Sequence, residues 1–316
     1  MKRGYLYIAM TTLLFSSMEI ALKFVAGQFN PVQLTFSRFL TGGLVLLPLA
    51  VHTLKKRGTN LNAKALASFA LLGFLGIAVS MTFYQLSVTR IQASVVAVLF
   101  SINPLFVTLF AWLFLRESIS KQQIAGLCLD VAGIVAIINP FHLELDVWGV
   151  VFVLTATLLF SLYGVGGKRL CARFGGVVVT CFSFLFGAAE MLLLSALTHI
   201  PAVAAYFTGI GLPLFASIPF FTGYTLSSLP VILYVYVGVT GIGFTCYFLA
   251  MEFTSAQKAS LVFFFKPVLA PILAFLILRE EIPGNELFGI GMILCGSLAS
   301  LLPGLLAARR RAGTES

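Results

Sequence analysis

The stretch from Ala93 to Gly133, ASVVAVLFSINPLFVTLFAWLFLRESISKQQIAGLCLDVAG, occurs twice in related form within this chain of 316 residues. Shifting the sequence by 163 positions superposes Pro104 on Pro267 and carries the match through the whole stretch without a gap. An Arg-Glu pair and two glycines recur at the same spacing in the second copy. An internal repeat of this kind indicates a fold assembled from two related halves.

The composition places the chain among integral membrane proteins. Hydrophobic residues make up 59% of it, charged residues make up 10%, and the mean hydropathy is +1.04, whereas soluble domains carry about 25% charged residues. A helix needs about 20 mostly apolar residues to cross a bilayer. Ten segments meet this requirement, at about 5–26, 32–52, 65–88, 93–115, 123–140, 147–167, 176–198, 229–251, 256–278 and 286–306. The predicted fold class is therefore an all-α integral membrane protein with ten transmembrane helices.

The earlier segments repeat at a different offset. A shift of 145 positions superposes residues 157–161 on residues 12–16, both of which read TLLFS, and Lys168 on Lys23. The difference between 163 and 145 is an insertion of 18 residues, which we assign to the apolar, uncharged segment 201–228. Each half then holds five helices, and because five is odd the halves are predicted to be two inverted repeats. The predicted divisions are a first repeat at 1–140, a second repeat at 141–306 and a basic cytoplasmic tail at 307–316.

The distribution of positive charge predicts the orientation. With the amino terminus inside, 15 of the 20 Lys and Arg residues lie on one side, which the positive-inside rule identifies as cytoplasmic. Segment 201–228 is predicted to be an interfacial or re-entrant outer loop, because an eleventh crossing would place Arg309–Arg311 outside. We therefore expect a multi-pass protein of the bacterial inner membrane with both termini cytoplasmic. Topology accounts for the net charge of +9, so no nucleic-acid partner is expected.

Other protein classes lack support in the sequence. There is no H-E-x-x-H, no G-x-S-x-G and no phosphate loop, so no enzyme activity is predicted. The five cysteines show no paired spacing and the three histidines form no cluster, so neither a disulfide framework, a metal site nor a cofactor is expected. Lys2 and Arg3 precede an apolar run as in a secretory signal, but this run is longer and carries Glu19. We interpret it as a retained first helix.

A family resemblance runs along essentially the whole chain. Its residues are Lys23 at the end of the first segment, Pro31 and Arg38 in the second, and in each half a proline, an Arg-Glu pair and two glycines: Pro104, Arg116, Glu117, Gly126 and Gly133, then Pro267, Arg279, Glu280, Gly289 and Gly296. In these features the chain resembles the ten-helix EamA-type transporters of the drug/metabolite transporter superfamily. The resemblance implies transport of amino acids, drugs or other small metabolites. Glu19 departs from it, because the family more often has a neutral residue there.

Ionisable residues inside the predicted helices are the first candidates for a substrate site. A charge at a helix centre costs about 2.5 to 3.5 kcal/mol on insertion scales, so it requires a partner or a function. Glu19 lies four residues before Lys23, which permits either an intrahelical ion pair or a carboxylate that binds a cation or exchanges a proton. Lys266 precedes Pro267. It is expected either to pair with an acidic neighbour such as Glu19 or to bind a carboxylate or phosphate of the substrate.

Three further ionisable residues lie in predicted helices. Arg38, like Lys23, is expected to form a gating or structural ion pair, with substrate contact as the alternative for Arg38. Asp130 lies among glycines seven residues apart, and this spacing recurs in the tenth segment, which predicts a packing or dimer seam between the fifth and tenth helices. The chain is therefore expected to be a monomer or a homodimer. The sequence does not indicate a partner for Glu190.

Aromatic and polar side chains complete the predicted site. Tyr84 and Tyr247 are related by the repeat, as are Asn103 and Lys266, and a hydroxyl group in an apolar environment usually has a hydrogen-bond partner. The predicted substrate-binding residues are Glu19, Tyr84, Gln85, Ser101, Asn103, Tyr163, Tyr247, Phe265 and Lys266.

The sequence thus predicts a secondary transporter that exports small organic metabolites, amino acids or related compounds, by alternating access. Its expected partners are a small-molecule substrate, the lipid bilayer and, as a candidate coupling ion, H+. Two alternatives stay open at this point. One is a proton-coupled exporter of cationic drugs, for which Glu19 would be the essential acid. The other is a membrane scaffold or sensor without turnover.

Overall fold

A computed structural model of the chain is helical throughout its regular structure. No strand occurs among the residues that it describes, which contain one isolated β-bridge between Ala26 and Phe29. The described residues are 2–115, 121–138, 146–254, 259, 261–296 and 298–299.

Helices lie at all ten predicted positions, and we name them α1 to α10. Between α7 and α8 lies one further short helix, Pro201–Gly209. The bounds are α1 (Arg3–Phe24), α2 (Pro31–Arg57), α3 (Ala63–Arg90), α4 (Ala93–Phe100 and Asn103–Leu115), α5 (Lys121–Ile138), α6 (Val147–Phe174), α7 (Gly176–Leu197), α8 (Leu229–Phe253), α9 (Leu261–Leu273 and Ala274–Leu278) and α10 (284–296).

Seven of these helices are long and apolar enough, within the described residues, to cross a membrane: α1, α2, α3, α4, α6, α7 and α8. Helices α5 and α9 contain shorter apolar stretches, Ile124–Ile137 and Phe265–Leu278. The predicted segments 123–140, 256–278 and 286–306 each extend into residues outside the described ones. The helical membrane fold predicted from hydropathy is therefore confirmed, with seven long spans described.

The segment 201–228 forms no spanning helix. Its short helix has no buried residue, and a 3₁₀ turn, Pro213–Phe215, follows it. Gln33 Nε2 donates a hydrogen bond to the carbonyl oxygen of Thr222 at 2.7 Å, and Asn30 Nδ2 donates one to that of Leu214 at 2.9 Å. These bonds fold the segment back onto the first turn of α2, as expected for a loop.

Glycines allow α5 and α10 to pack backbone against backbone. A Cβ atom added to Gly133 would lie 2.8 Å from the carbonyl oxygen of Gly289, and one added to Gly289 would lie 2.6 Å from that of Gly133. The buried Asp130 faces Gly296 in the same seam. Of the two sequence interpretations, a packing seam or a dimer seam, the structure therefore shows packing within one chain.

Two helices change to π-helical geometry at positions related by the repeat. In α3 the π-helical stretch is Phe74–Val79, and in α8 it is Tyr234–Gly243. Adding 163 to the first range gives residues 237–242, which lie inside the second range. Such stretches are often found at functional sites, and here each ends a few residues before Tyr84 or Tyr247.

Candidate substrate site

A buried ion pair joins α1 to α9. Lys266 Nζ lies 2.5 Å from Glu19 Oε1, and both side chains are 0% exposed. The hydroxyl group of Tyr84, on α3, donates a hydrogen bond to the same carboxylate oxygen. Lys266 Nζ also lies 4.9 Å from the ring centroid of Phe100 on α4, which adds a cation–π attraction. Four helices thus meet at one charged cluster, and the sequence interpretation of Lys266 as the partner of Glu19 is the arrangement observed.

Lys23 does not form the ion pair with Glu19 that their spacing permits. Its Nζ donates hydrogen bonds to the carbonyl oxygens of Val88 and Ile91, at 3.0 and 2.8 Å. Carbonyl groups at the end of a helix have no intrahelical partner and carry partial negative charge. Lys23 therefore caps the carboxyl end of α3, so Glu19 is available to form its ion pair with Lys266.

Glu280 is a charged residue whose role sequence reasoning missed. Its carboxylate accepts hydrogen bonds from the backbone N–H groups of Ala93 and Ser94, at 2.9 and 3.1 Å, and from the Ser94 hydroxyl at 3.0 Å. It therefore caps the amino end of α4. Together, Lys23 and Glu280 cap the two helix ends on either side of the α3–α4 turn. The signal in the sequence was the Arg-Glu pair that recurs in both halves.

Arg38 on α2 does not form the expected ion pair. No carboxylate in the described parts of the chain lies within ion-pair distance of its guanidinium group, although the side chain is 0% exposed. Its Nη1 lies 3.8 Å from Met18 Sδ, a weak contact, and its Cζ lies 4.7 Å from the ring centroid of Phe39. Nε and Nη2 have no hydrogen-bond partner there. Glu19 attracts the guanidinium group only at longer range.

Asn103 contacts α6 instead of the ion pair. Its Nδ2 donates a hydrogen bond to Ser161 Oγ at 2.6 Å, while its Oδ1 is buried and has no partner among the described residues. Ser161 was not predicted, although it ends the repeated TLLFS stretch. Of the other polar candidates, Ser101 donates to the Ala97 carbonyl oxygen at 2.6 Å. Gln85 is buried with its Oε1 unpartnered in the described structure.

Aromatic rings enclose the cluster on the side of α6 and α8. Tyr163 and Ser183 share a hydrogen bond of 2.9 Å between their hydroxyl groups. Tyr247 stacks on Phe160, with 5.8 Å between ring centroids. The sequence identified the tyrosines but could not select among 31 phenylalanines. The buried rings of this wall that it missed are Phe100, Phe160 and Phe244.

Phe265 was predicted to contact substrate, and its position in the structure does not support this. It is 49% exposed and lines a shallow apolar groove with Leu294 and Leu298, while Phe263 and Lys266 are buried. Successive residues of a helix point about 100° apart, so Phe265 cannot share the inward direction of its neighbour Lys266. It lies on the outer surface of α9.

The repeat relates the contacts of one half to those of the other. A shift of 145 positions carries Met18 and Arg38 onto Tyr163 and Ser183. The first two side chains are in contact, and so are the second two.

Two more pairs of positions correspond in the same way. Tyr84 bonds to Glu19, and at the equivalent positions the Tyr247 hydroxyl lies 3.5 Å from a Cβ atom built on Gly164. Asn103 donates a hydrogen bond to Ser161. The equivalent positions are Lys266 and Ser16, but Lys266 pairs with Glu19. Ser16 is therefore buried without a hydrogen-bond partner among the described residues. The ion pair is therefore a departure from a shared arrangement.

Comparison with known proteins identifies the family. The sequence profile of the EamA-like transporter family matches residues 2–139 and again residues 147–302. The chain belongs to this family. It is thus a multi-pass membrane transporter that acts on a small-molecule substrate, and it is not an enzyme.

The relatives of this chain match it over most of its length. An uncharacterized transporter of Clostridium kluyveri is 36% identical over 306 residues, which cover 94% of this chain and 93% of the relative. A probable terminal-alkyne amino-acid exporter of Streptantibioticus cattleyicolor is 26% identical over 313 residues, covering 97% and 96%. A solved crystal structure superposes with a TM-score of 0.65 at 20% identity and covers 95% of this chain and 97% of that one. This last similarity shows the fold alone.

Proposed function

We propose that this EamA-like protein is a secondary transporter that exports amino acids or related small metabolites across the bacterial inner membrane by alternating access. The proposal includes ten transmembrane helices arranged as two inverted repeats, 1–140 and 141–306, with a cytoplasmic tail at 307–316 and both termini cytoplasmic. Inverted repeats permit one half to move against the other around a site near the midplane.

One observation carries the proposal: the charged cluster is formed jointly by the two repeats. Glu19 and Tyr84 come from the first repeat, whereas Lys266 comes from the second. Arg38, also in the first repeat, lies beside this cluster, where Glu19 and Tyr84 act on it electrostatically. Relative motion of the repeats would separate Lys266 from Glu19 and offer both charges to a substrate. An amino acid carries a carboxylate and an ammonium group, which are complementary to these two side chains.

The cluster also supports the choice of substrate-binding residues. We propose that Glu19, Tyr84, Gln85, Asn103, Tyr247 and Lys266 contact the substrate, because each is buried and lies on a helix that contributes to the cluster or to the aromatic rings around it. The relative from Streptantibioticus cattleyicolor, a probable amino-acid exporter, supports the same substrate class. A scaffold or sensor without turnover is not favoured, since the family is one of transporters.

The test is counterflow in proteoliposomes with a panel of labelled amino acids and organic cations. We expect amino-acid counterflow in the wild type and a loss of at least about tenfold in Lys266→Gln and Glu19→Gln, because each removes a charge that would bind substrate. Lys168→Gln, an exposed lysine of α6, is the matched control and should keep wild-type counterflow.

The other outcomes have equally definite meanings. Amino-acid counterflow retained in both Lys266→Gln and Glu19→Gln would remove the ion pair from the mechanism. Counterflow of organic cations that is lost with Glu19→Gln would replace the proposal by a proton-coupled exporter of cationic drugs. Flux that responds to a pH gradient in the wild type but not in Glu19→Gln would identify H+ as the coupling ion.

A further inference from the structure

At each position where one repeat has a charged residue of the site, the equivalent position of the other repeat has a neutral residue. Comparing the two repeats therefore shows whether the shared packing needs a charge at each of these positions. The three pairs of equivalent positions are Glu19 with Gly164, Arg38 with Ser183 and Lys266 with Asn103.

The neutral positions pack as tightly as the charged ones. Ser183 is 0% exposed and hydrogen-bonded to Tyr163, Asn103 is 0% exposed and hydrogen-bonded to Ser161, and Gly164 is buried. The shared architecture is therefore satisfied without a charge at any of the three positions. Since burying a charge in a membrane is costly, the fold alone does not explain why three charges are present.

The three charges do not balance. Arg38 and Lys266 are cations and Glu19 is an anion, so one positive charge is left over. Lys266 is in direct contact with Glu19 at 2.5 Å, which makes Arg38 the cation without a carboxylate partner among the described residues. A guanidinium group stays protonated in proteins. The excess charge is therefore a fixed property of the site.

The two unpartnered nitrogen atoms of Arg38 are arranged so that both can donate hydrogen bonds to one ligand. Nε and Nη2, which have no hydrogen-bond partner among the residues that the structure describes, lie on one edge of the planar guanidinium group. Their N–H groups are parallel, which is the arrangement that binds the two oxygens of a carboxylate at once. Nη1, on the other edge, already contacts Met18. The free edge thus has the donor geometry that a carboxylate requires.

We propose that the substrate is an acidic amino acid, with two carboxylates, one ammonium group and one net negative charge. Two cations and one carboxylate in the site are complementary to this pattern. One carboxylate would bind the free edge of Arg38 and the other Lys266, while the ammonium group would bind Glu19, whose Oε2 is unpartnered in the described structure. A neutral amino acid would leave the excess charge unbalanced, and a cationic one would increase it. This inference rests on the proposed function, since it specifies the substrate of the same site.

The test compares glutamate, glutamine and lysine, which have similar size and differ by one net charge at each step. Binding is measured by the thermal stabilisation of the purified protein in detergent, and exchange is measured by counterflow in proteoliposomes. We expect the wild type to prefer glutamate to glutamine by at least about tenfold in both assays, because a site with a buried charge discriminates against a ligand that leaves it unpaired.

Variants of Arg38 separate recognition from folding. Arg38→Gln should lower glutamate binding at least about tenfold while glutamine binding changes less than about twofold. If Arg38→Gln fails to fold, Arg38→Lys keeps the charge without the two parallel donors and should still weaken glutamate binding selectively. Arg169→Gln, an exposed arginine of α6, is the control and should behave as the wild type.

The outcomes distinguish this inference from the proposed function. Two results would overturn the inference and leave the transport proposal intact. One is that the wild type binds and exchanges glutamine or lysine as well as glutamate. The other is that the Arg38 variants lose glutamate binding and glutamine binding equally. Glutamate binding that requires Arg38 without any counterflow would support the site and contradict the transport proposal. If none of the three amino acids binds or shows counterflow, the inference is overturned, and the absence of counterflow across the whole amino-acid panel would overturn the proposed function as well.

Discussion

Lys266 Nζ and Glu19 Oε1 lie 2.5 Å apart where α9 meets α1, and neither side chain is exposed. In a low-dielectric interior each charge is tolerated because the other compensates it. In the proposed transporter the same two atoms would serve both the stability of this arrangement and the binding of substrate. Separating the pair without a substrate would expose two unpaired charges.

Neutralising one member of this pair should cost more than neutralising both. Lys266→Gln leaves a buried carboxylate unpaired, so we expect it to lower the free energy of unfolding by about 3–5 kcal/mol. The double variant Lys266→Gln/Glu19→Gln removes both charges and should recover part of this loss. The measurement is unfolding in detergent of the two single variants, the double variant and the wild type. A double variant whose loss equals the sum of the single losses would show that the two residues are not coupled.

Glu280 should stabilise the junction between the α3–α4 turn and the end of α9. It accepts two backbone N–H groups at the start of α4, so Glu280→Ala should cost about 1–2 kcal/mol of unfolding free energy, as for the loss of a helix cap. Glu281→Ala changes the exposed neighbouring carboxylate and should be close to neutral. Equal effects of the two substitutions would mean that local charge matters and capping does not.

The same contact has a consequence for access to the site. Because Glu280 holds the end of α9 against α4, Glu280→Ala should favour separation of the two at this side of the membrane. We expect a cysteine introduced by Gln92→Cys, in a background without the five native cysteines, to react faster with a membrane-impermeant maleimide in the Glu280→Ala variant. Unchanged reactivity would restrict Glu280 to a stabilising role.

Asp146 makes a pH-dependent contribution to stability. A hydrogen bond from Arg90 at 2.8 Å holds the pKa of the Asp146 carboxyl below its usual range, and the backbone N–H groups of Gly149 and Trp148 act in the same direction. Because the pKa is lower in the folded state, the carboxylate stabilises the protein above the pKa of the unfolded chain, about 4. This contribution is lost as the pH falls through the folded-state pKa.

The variant Asp146→Asn should therefore have a lower melting temperature than the wild type at pH 7, and the difference should shrink progressively as the pH falls below about 4. Asparagine also caps helices, so the start of α6 is preserved and the comparison reports the charge. The measurement is thermal unfolding of both proteins in detergent over this pH range. A difference in melting temperature that does not change with pH would exclude the ionised carboxyl as its source.

Hydropathy and the repeat predicted much of this structure from the sequence. Helices require only local apolar runs, and these were visible in all ten segments. The repeat also drew attention to Lys266 through its neutral equivalent Asn103. It could have indicated Ser161 as well, since Ser161 and Ser16 are equivalent and both lie in the core.

The partners of the charges could not be predicted in this way. Glu19 and Lys23 are four residues apart, yet Lys23 reaches the carbonyl oxygens at the end of α3, because a free helix end is a competing acceptor. Phe265 and Lys266 are adjacent, yet they point to opposite environments, since the rotation of α9 is set by its packing. Which residues face each other is decided by the crossing of helices, and the spacing along one helix does not contain that information.

The packing of α5 against α10 can be tested with two glycines of α10, of which Gly289 lies in the seam and Gly291 serves as the control. A Cβ atom added to Gly289 would lie 2.5 Å from Ile137 Cγ1 and 2.6 Å from the carbonyl oxygen of Gly133, whereas one added to Gly291 would meet nothing within 4 Å. Gly289→Ala should therefore force the helices apart and lower the free energy of unfolding by about 1–3 kcal/mol. Gly291→Ala should be neutral or stabilising by up to about 1 kcal/mol, because alanine favours helices over glycine. Unfolding of the two variants in the same detergent tests this difference, and equal stabilities would show that backbone contact at Gly289 does not hold the seam together.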